Sequence, residues 1–428
     1  MNLNAFDVAA ILVTLAAVFG YVNHRFVHLP PSSGILAVGL ISSAFVFAVD
    51  AVLPHEHLRA TLGLFLSQID FQETLMRGML CFLLFAGGLH VELNDLLENK
   101  WTIIALATFT VLLSSAIIGG LVYGMLSWLG STTPLVICLV FGALISPTDP
   151  IAVLAILKQL RAPKTLEANI AGEALFNDGV GVVVFFGLLS ISGLHPVGGA
   201  HVAASATGLT VFFLREVAGG VLLGWSLGYV AYHALKSIDN APLELMITLA
   251  LVMFCYSLSF WVRVSGPIAV VVASVFIGNR GRHFAMTKTT VEHVDAFWGM
   301  ADEILNAVLF LLLGLEVFAV RLNSHEIVVC VLVIPIVLLA RWISVAVPIL
   351  GIGLRRSVHH RMIPILTWGG LRGGISVAMV LSLPTFAEKG LLLSCTYAVV
   401  LFTILVQGLT MRRLLLHYGI RRNRAAEQ

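Results

Sequence analysis

The sequence predicts an all-α polytopic membrane protein of thirteen transmembrane helices, arranged as inverted six-helix repeats with two crossing broken helices. Three observations carry this prediction. Of 428 residues, 59% are hydrophobic and 11% charged, whereas a soluble domain carries about 25% charged residues. Apolar runs of bilayer-spanning length recur from one end of the chain to the other. Lys and Arg are concentrated in alternate connecting loops, the pattern that sets orientation in a membrane.

Divided at Pro, Gly and charge clusters, the apolar runs fall at about 5–23, 33–54, 72–92, 102–129, 134–158, 166–193, 208–235, 243–263, 266–280, 296–319, 325–350, 361–384 and 390–414. The first is read as a retained helix, because MNLNAFD contains no Lys or Arg and no small-residue cleavage site follows. Loops after odd-numbered spans, together with the C-terminal segment, hold seventeen basic residues against six on the opposite side. That bias places the N-terminus outside and the C-terminus in the cytoplasm. A miscounted span would mix the two sets. The five cysteines all fall in apolar runs without C-x-x-C spacing, so they read as buried thiols and no resident metal or other cofactor is expected. The net charge of +2 singles out no charged partner, and nucleic acid is not expected as one.

Two spans contain breaks. In the fifth, ISPTDP (145–150) sets Pro147 and Pro150 around Thr148 and Asp149; proline removes a backbone donor and clashes one turn back, so the helix is expected to unwind there. In the twelfth, TWGGLRGGIS (367–376) gathers four glycines around Arg372. Irregular backbone at membrane depth is tolerated only where protein or a wet cavity surrounds it. The two broken spans are seven apart and therefore cross in opposite directions. This is the topology of an inverted repeat, with spans one to six repeated as eight to thirteen.

The polar residues inside the spans are the functional candidates. Asp149 lies in the first break and Asp178 in the next, antiparallel span. A charged side chain at a helix centre costs roughly 2.5–3.5 kcal/mol on insertion scales, so two acids there require a cation, a proton or an arginine. Within GEALFNDG (172–179), Glu173 and Asn177 are four apart and share a helix face, while Asp178 points roughly 140° from Glu173. The simplest assignment pairs Glu173 with an intramembrane arginine and leaves Asp178 for a mobile ion. Arginine cannot lose its proton; a lone carboxylate accepts either a proton or a hard cation. The two arginines within spans are Arg341 and Arg372. Thr148 and Asn177 also admit a purely structural reading as helix-packing braces, and Arg372 one as a bridge to exposed carbonyls. Glu92 and Glu316 read as interfacial, and Asp302 and Glu303 face the cytoplasmic half with no role assigned.

SPTDP in span five, GEALFNDG in span six and WGGLRGGIS in span twelve resemble the NhaP-type monovalent cation/proton antiporters, relatives of the animal plasma-membrane sodium/proton exchangers. LLFAGGLHVEL (83–93) and FLLLGLEV (310–317) extend the likeness in order over nearly the whole chain. The resemblance implies an antiporter of a plasma (bacterial inner) membrane, exchanging Na+, K+ or Li+ for a proton by alternating access. Asp178 would be the carboxylate that binds cation and proton in turn, with Asp149 and the Thr148 carbonyl helping to hold the cation. Asn177 would mark the electroneutral branch, Glu173 would pair with Arg341, and Arg372 would compensate the crossing helices. It further implies one transmembrane domain over 1–420 and a homodimer. A core bundle (about 102–193 and 325–414) would move against scaffold helices (about 5–92 and 208–319). One position departs from the pattern: where some members carry a serine after the glutamate, this chain has Ala174, which on the resemblance would leave the ion's shell wetter or differently selective.

Other classes fit less well. A uniporter or channel would carry the cation without proton coupling. An intramembrane aspartyl protease uses G-x-G-D, whereas LFN precedes Asp178, and H-E-x-x-H is absent, so no enzymatic activity is expected. His55–Glu56–His57 and His359–His360 read as solvated loop residues, and 421–428 as a short basic cytoplasmic tail.

Overall fold

The structure, a computed structural model, describes residues 5–52, 78–98, 100–160, 162, 164–194, 206–316, 324–353 and 362–418, and every statement below concerns those residues. The histidines at 55, 57, 359 and 360 and the tail at 421–428 lie outside them. In chain order the main helices are α1 (Ala5–Val22), α2 (Pro31–Val52), α3 (Leu80–Leu89), α4 (Lys100–Trp128), α5 (Leu135–Ile145), α6 (Ile151–Leu160), α7 (Lys164–Ile191) and α8 (Ala206–Lys236). They continue with α9 (Ala241–Val262), α10 (Gly266–Phe276), α11 (Lys288–Glu316), α12 (Ser324–Gly353), α13 (Met362–Trp368), α14 (Gly374–Leu381) and α15 (Lys389–His417). Eight of the described helices are long and apolar enough to cross a bilayer by length and composition. No strand is present among the described residues.

The two expected breaks are both seen. Span five is split into α5 and α6 at residues 146–150, and span twelve into α13 and α14 at 369–373. Helix α12, by contrast, runs unbroken through Pro335 and Pro348. The difference is one of density. A lone proline frees one carbonyl, which a membrane helix accommodates locally, whereas Pro147 and Pro150 remove two donors within one turn.

The apolar residues collect into separate clusters. One joins α4, α5, α7, α12, α14 and α15, with Phe141, Phe185 and Val333 at its centre. A second joins α3, α8, α9, α10 and α11, with Ile103 of α4 and Leu175 of α7, around Trp298, which is fully buried against Phe85 at a ring separation of 4.7 Å. The Trp298 indole N–H donates to Thr248 at 3.1 Å, satisfying its polar edge. In lipid no hydrophobic drive holds helices together, so association depends on close backbone approach at small residues. At the α4–α5 contact, a Cβ on Gly142 would stand 2.3 Å from the Ser115 carbonyl oxygen.

That contact gives a stability prediction. Gly142→Ala should force α4 and α5 apart and cost about 1–3 kcal/mol, the usual range for overpacking. Gly120→Ala on α4, where a Cβ meets nothing within 4 Å, serves as the control. Thermal unfolding in detergent should show a lowered midpoint for the first variant only; equal midpoints would refute the packing argument.

Candidate functional site

The two breaks lie against each other and share a backbone hydrogen bond, with further partners supplied by neighbouring side chains. The Asp149 N–H donates to the Leu371 carbonyl at 2.8 Å, an isolated antiparallel bridge joining the two links. The Thr148 N–H is directed at Asn177 Oδ1 at 3.4 Å, and Asn177 Nδ2 donates to Thr148 Oγ1 at 2.7 Å. Pro147 and Pro150 have no N–H to satisfy. The Arg372 N–H reaches Thr403 Oγ1 at 3.1 Å, in a π-helical stretch (Thr403–Gly408) inside α15. Asn177 is fully buried, and its two amide atoms stitch α7 to the α5–α6 link. It therefore bonds to Thr148 rather than simply sharing the Glu173 face.

Each half-helix that ends at the crossing presents carbonyls to a buried arginine. Arg372 Nη1 donates to the Ser146 and Pro147 carbonyls, the latter at 2.8 Å, at the C-terminal end of α5. Arg341 Nη2 donates to the Leu366 carbonyl at 3.2 Å, near the end of α13. The negative ends of two helix dipoles thus face fixed positive charge. Arg341 Nη1 also lies 2.5 Å from Glu173 Oε1, and both side chains are almost completely buried. Glycines make room for these charges: a Cβ on Gly370 would come 2.6 Å from Arg341 Nε, and one on Gly373 would come 2.5 Å from Asp149 Oδ2. Asp149 accordingly sits at the N-terminal ends of α6 and α14, where the dipole favours an anion.

Asp178 is placed differently from Glu173. With Thr148, Asp149 and Ala174 it lines a cavity of about 1450 Å³ that extends to Lys158 and Arg412. Asp178 and Asp149 are within electrostatic reach of one another. Among the described residues no arginine or lysine pairs with Asp178. The arrangement can hold a proton or a hard cation on oxygen ligands at a point the cavity reaches.

Every candidate from the sequence is thus located: Asp178, Asp149 and Thr148 on one cavity wall, Asn177 bonded behind Thr148, Glu173 with Arg341, and Arg372 on the α5 carbonyls. Sequence reasoning missed Thr403, whose only signal is a hydroxyl in an apolar run, and the backbone bridge through Leu371, which has none. It also left Asp302 and Asn306 without a role, although both line the same cavity.

Two interrupted helices crossing within an all-helical membrane protein, with a carboxylate on a cavity wall at the crossing, define a secondary transporter. A family profile described as the transmembrane sodium/hydrogen exchanger matches residues 12–417. The chain is 45% identical over 408 residues to the Na(+)/H(+) antiporter NhaP of Pseudomonas aeruginosa, covering 94% of this chain and 95% of that one. It is 36% identical to the Na(+)/H(+) antiporter NhaH of Halobacillus dabanensis, over 82% of this chain and 84% of the relative. Among solved structures, the sodium proton antiporter MjNhaP1 from Methanocaldococcus jannaschii at pH 8 shares the fold with a TM-score of 0.71 at 16% identity, covering 95% of this chain and 96% of that one. The chain belongs to the sodium/hydrogen exchanger family.

The Glu173–Arg341 pair carries a stability prediction. Glu173→Gln alone leaves a buried guanidinium uncompensated and should cost about 3–5 kcal/mol. The double variant Glu173→Gln with Arg341→Gln should cost less than the sum of the two single changes. Unfolding midpoints of the four proteins measure the coupling, and simple additivity would show that the contact contributes nothing.

Proposed function

We propose that this chain is an electroneutral sodium/proton antiporter in which one cation and one proton compete for Asp178. The observation that carries this reading is the division of charge at the crossing. Arg372 is committed to the α5 carbonyls and Arg341 to Glu173 and the α13 end, which leaves Asp178 and Asp149 facing the cavity without a fixed cation beside Asp178. The names borne by the P. aeruginosa and H. dabanensis relatives support sodium and proton as the substrates. On this reading Asp149 and Thr148 complete the cation's ligands. Competition for one carboxylate is itself the coupling. A loaded or protonated site is neutralised and free to cross, while an empty one is held back by the cost of desolvating its charge. Asn177, being neutral, withholds the additional titratable group next to Asp178 that a two-proton cycle would need.

The same proposal assigns the thirteen-span inverted repeat and a core (about 102–193 and 325–414) that moves against a dimerising scaffold (about 5–92 and 208–319). The cavity's extension toward Lys158 and Arg412, on the Lys/Arg-rich side, supports a cytoplasm-open state and a cytoplasmic C-terminus.

Three measurements test this. In everted vesicles, Asp178→Asn should abolish sodium-dependent proton movement; exchange that survives the change would sink the proposal. In proteoliposomes, lowering the pH on the cation side should raise the apparent KM for Na+ by roughly tenfold per unit in the range where the site is protonated, with Vmax little changed, as simple competition by mass action requires. A Vmax that falls while KM stays constant would exclude a shared site. Ala174→Ser restores a hydroxyl on the cavity wall and should lower the KM for the smaller cations relative to K+; identical cation ratios in both proteins would show that this position does not touch the ion.

A further inference from the structure

We propose that Asp302 and Asn306 on α11 form a second cation-holding station on the cavity wall, between the mouth of the cavity and Asp178. This rests on the antiport reading of the same cavity and adds to it a binding site on a different helix. The two residues are four apart, so they stand one above the other on one face of α11, and both line the cavity. Asn306 Nδ2 donates to Asp302 Oδ1 at 3.1 Å. That bond fixes the amide, because a carboxylate can only accept from the nitrogen. The other end of the amide, Oδ1, is buried with no hydrogen-bond partner, on a side chain only 5% exposed.

A buried amide oxygen left without a partner is costly, and the residue that carries it lines the cavity beside a carboxylate. A carboxylate and an amide carbonyl together make an all-oxygen donor set, which suits a hard monovalent cation rather than a soft metal. Other charges bear on the pair: Asp149 and Glu303 add negative potential and Lys158 opposes it. Asp302 therefore shares the field of the transport site while standing on a different helix, α11. A cation arriving from the cavity mouth would exchange part of its hydration for Asp302 and Asn306 before meeting Thr148, Asp149 and Asp178. Asn306 adds a ligand without adding a titratable group, so that part of the station binds cation with no proton to compete.

The test separates a built site from a diffuse negative field. Sodium-dependent proton exchange would be measured in proteoliposomes for Asp302→Asn, Asn306→Ala and the double variant. Each single change should raise the KM for Na+ roughly three- to tenfold with Vmax reduced by less than about twofold, and the double should match the larger single effect. If Asp302→Asn acts only at low ionic strength and Asn306→Ala leaves KM unchanged, the effect is a field and the station is refuted. A loss of Vmax at constant KM would likewise refute it, as a structural role. A binding measurement covers misfolding: detergent-solubilised Asp178→Asn should keep a Na+-dependent rise in its unfolding midpoint, which a further Asp302→Asn should remove. No Na+-dependent rise in Asp178→Asn, with wild-type exchange intact, overturns the station alone. Absence of exchange in the wild type would instead overturn the antiport reading.

Discussion

Backbone polarity in a medium that cannot hydrate it is the constraint on which this structure depends. Interrupting a transmembrane helix exposes amide and carbonyl groups whose desolvation costs several kcal/mol each when unpaired. Here two interruptions are placed against each other, so that each supplies part of what the other lacks. The Asp149 N–H uses the Leu371 carbonyl, the Asn177 side chain serves Thr148, and Thr403 takes the Arg372 N–H. The carbonyl ends of α5 and α13 each receive a buried guanidinium. Glycine at 370 and 373 is a consequence: a Cβ at either would occupy the space of Arg341 Nε or the Asp149 carboxylate.

Once the backbone is satisfied in this way, the charges divide into fixed and free. Arg341 and Arg372 are held by carbonyls, and Glu173 is held by Arg341. On the proposed reading these groups belong to the fold and take no part in the exchange. Among the described residues Asp178 has no such fixed partner, and it stands where the cavity reaches it. A transport carboxylate requires that separation. An arginine beside Asp178 would compete with every cation at all pH values, because its proton is never lost.

Much of this was legible in the sequence because the physical penalties are large. Proline pairs and glycine runs in apolar segments predict breaks at 145–150 and 367–376, and both are found. The 100° step of a helix separates Glu173 from Asp178, and the structure gives them different surroundings. What the sequence hid depends on through-space contacts with no local pattern. Asn177 shares a face with Glu173 by spacing, yet its partner is Thr148, 29 positions earlier. Thr403 looks like any hydroxyl in an apolar run until the Arg372 N–H is seen pointing at it. Asp302 and Asn306 have the right spacing to share a face, but only the fold shows that this face borders the cavity that also holds Asp149.

Asn177 illustrates why a neutral residue matters beside an ionisable one. Its amide supplies an acceptor toward the Thr148 N–H and a donor to the Thr148 hydroxyl at the same time. An aspartate there could keep the first bond, and the hydroxyl could rotate to donate instead of accept, so the backbone would still be served. It would, however, add a third carboxylate to a site where Asp149 and Asp178 already lie within electrostatic reach. Like charges in one low-dielectric site cannot all ionise, and one of them would hold a proton. The change would then alter how many protons the site binds while barely altering its shape. On the proposed reading, stoichiometry is therefore set by the charge of the side chain that holds the Thr148 backbone, and the fold accommodates either choice.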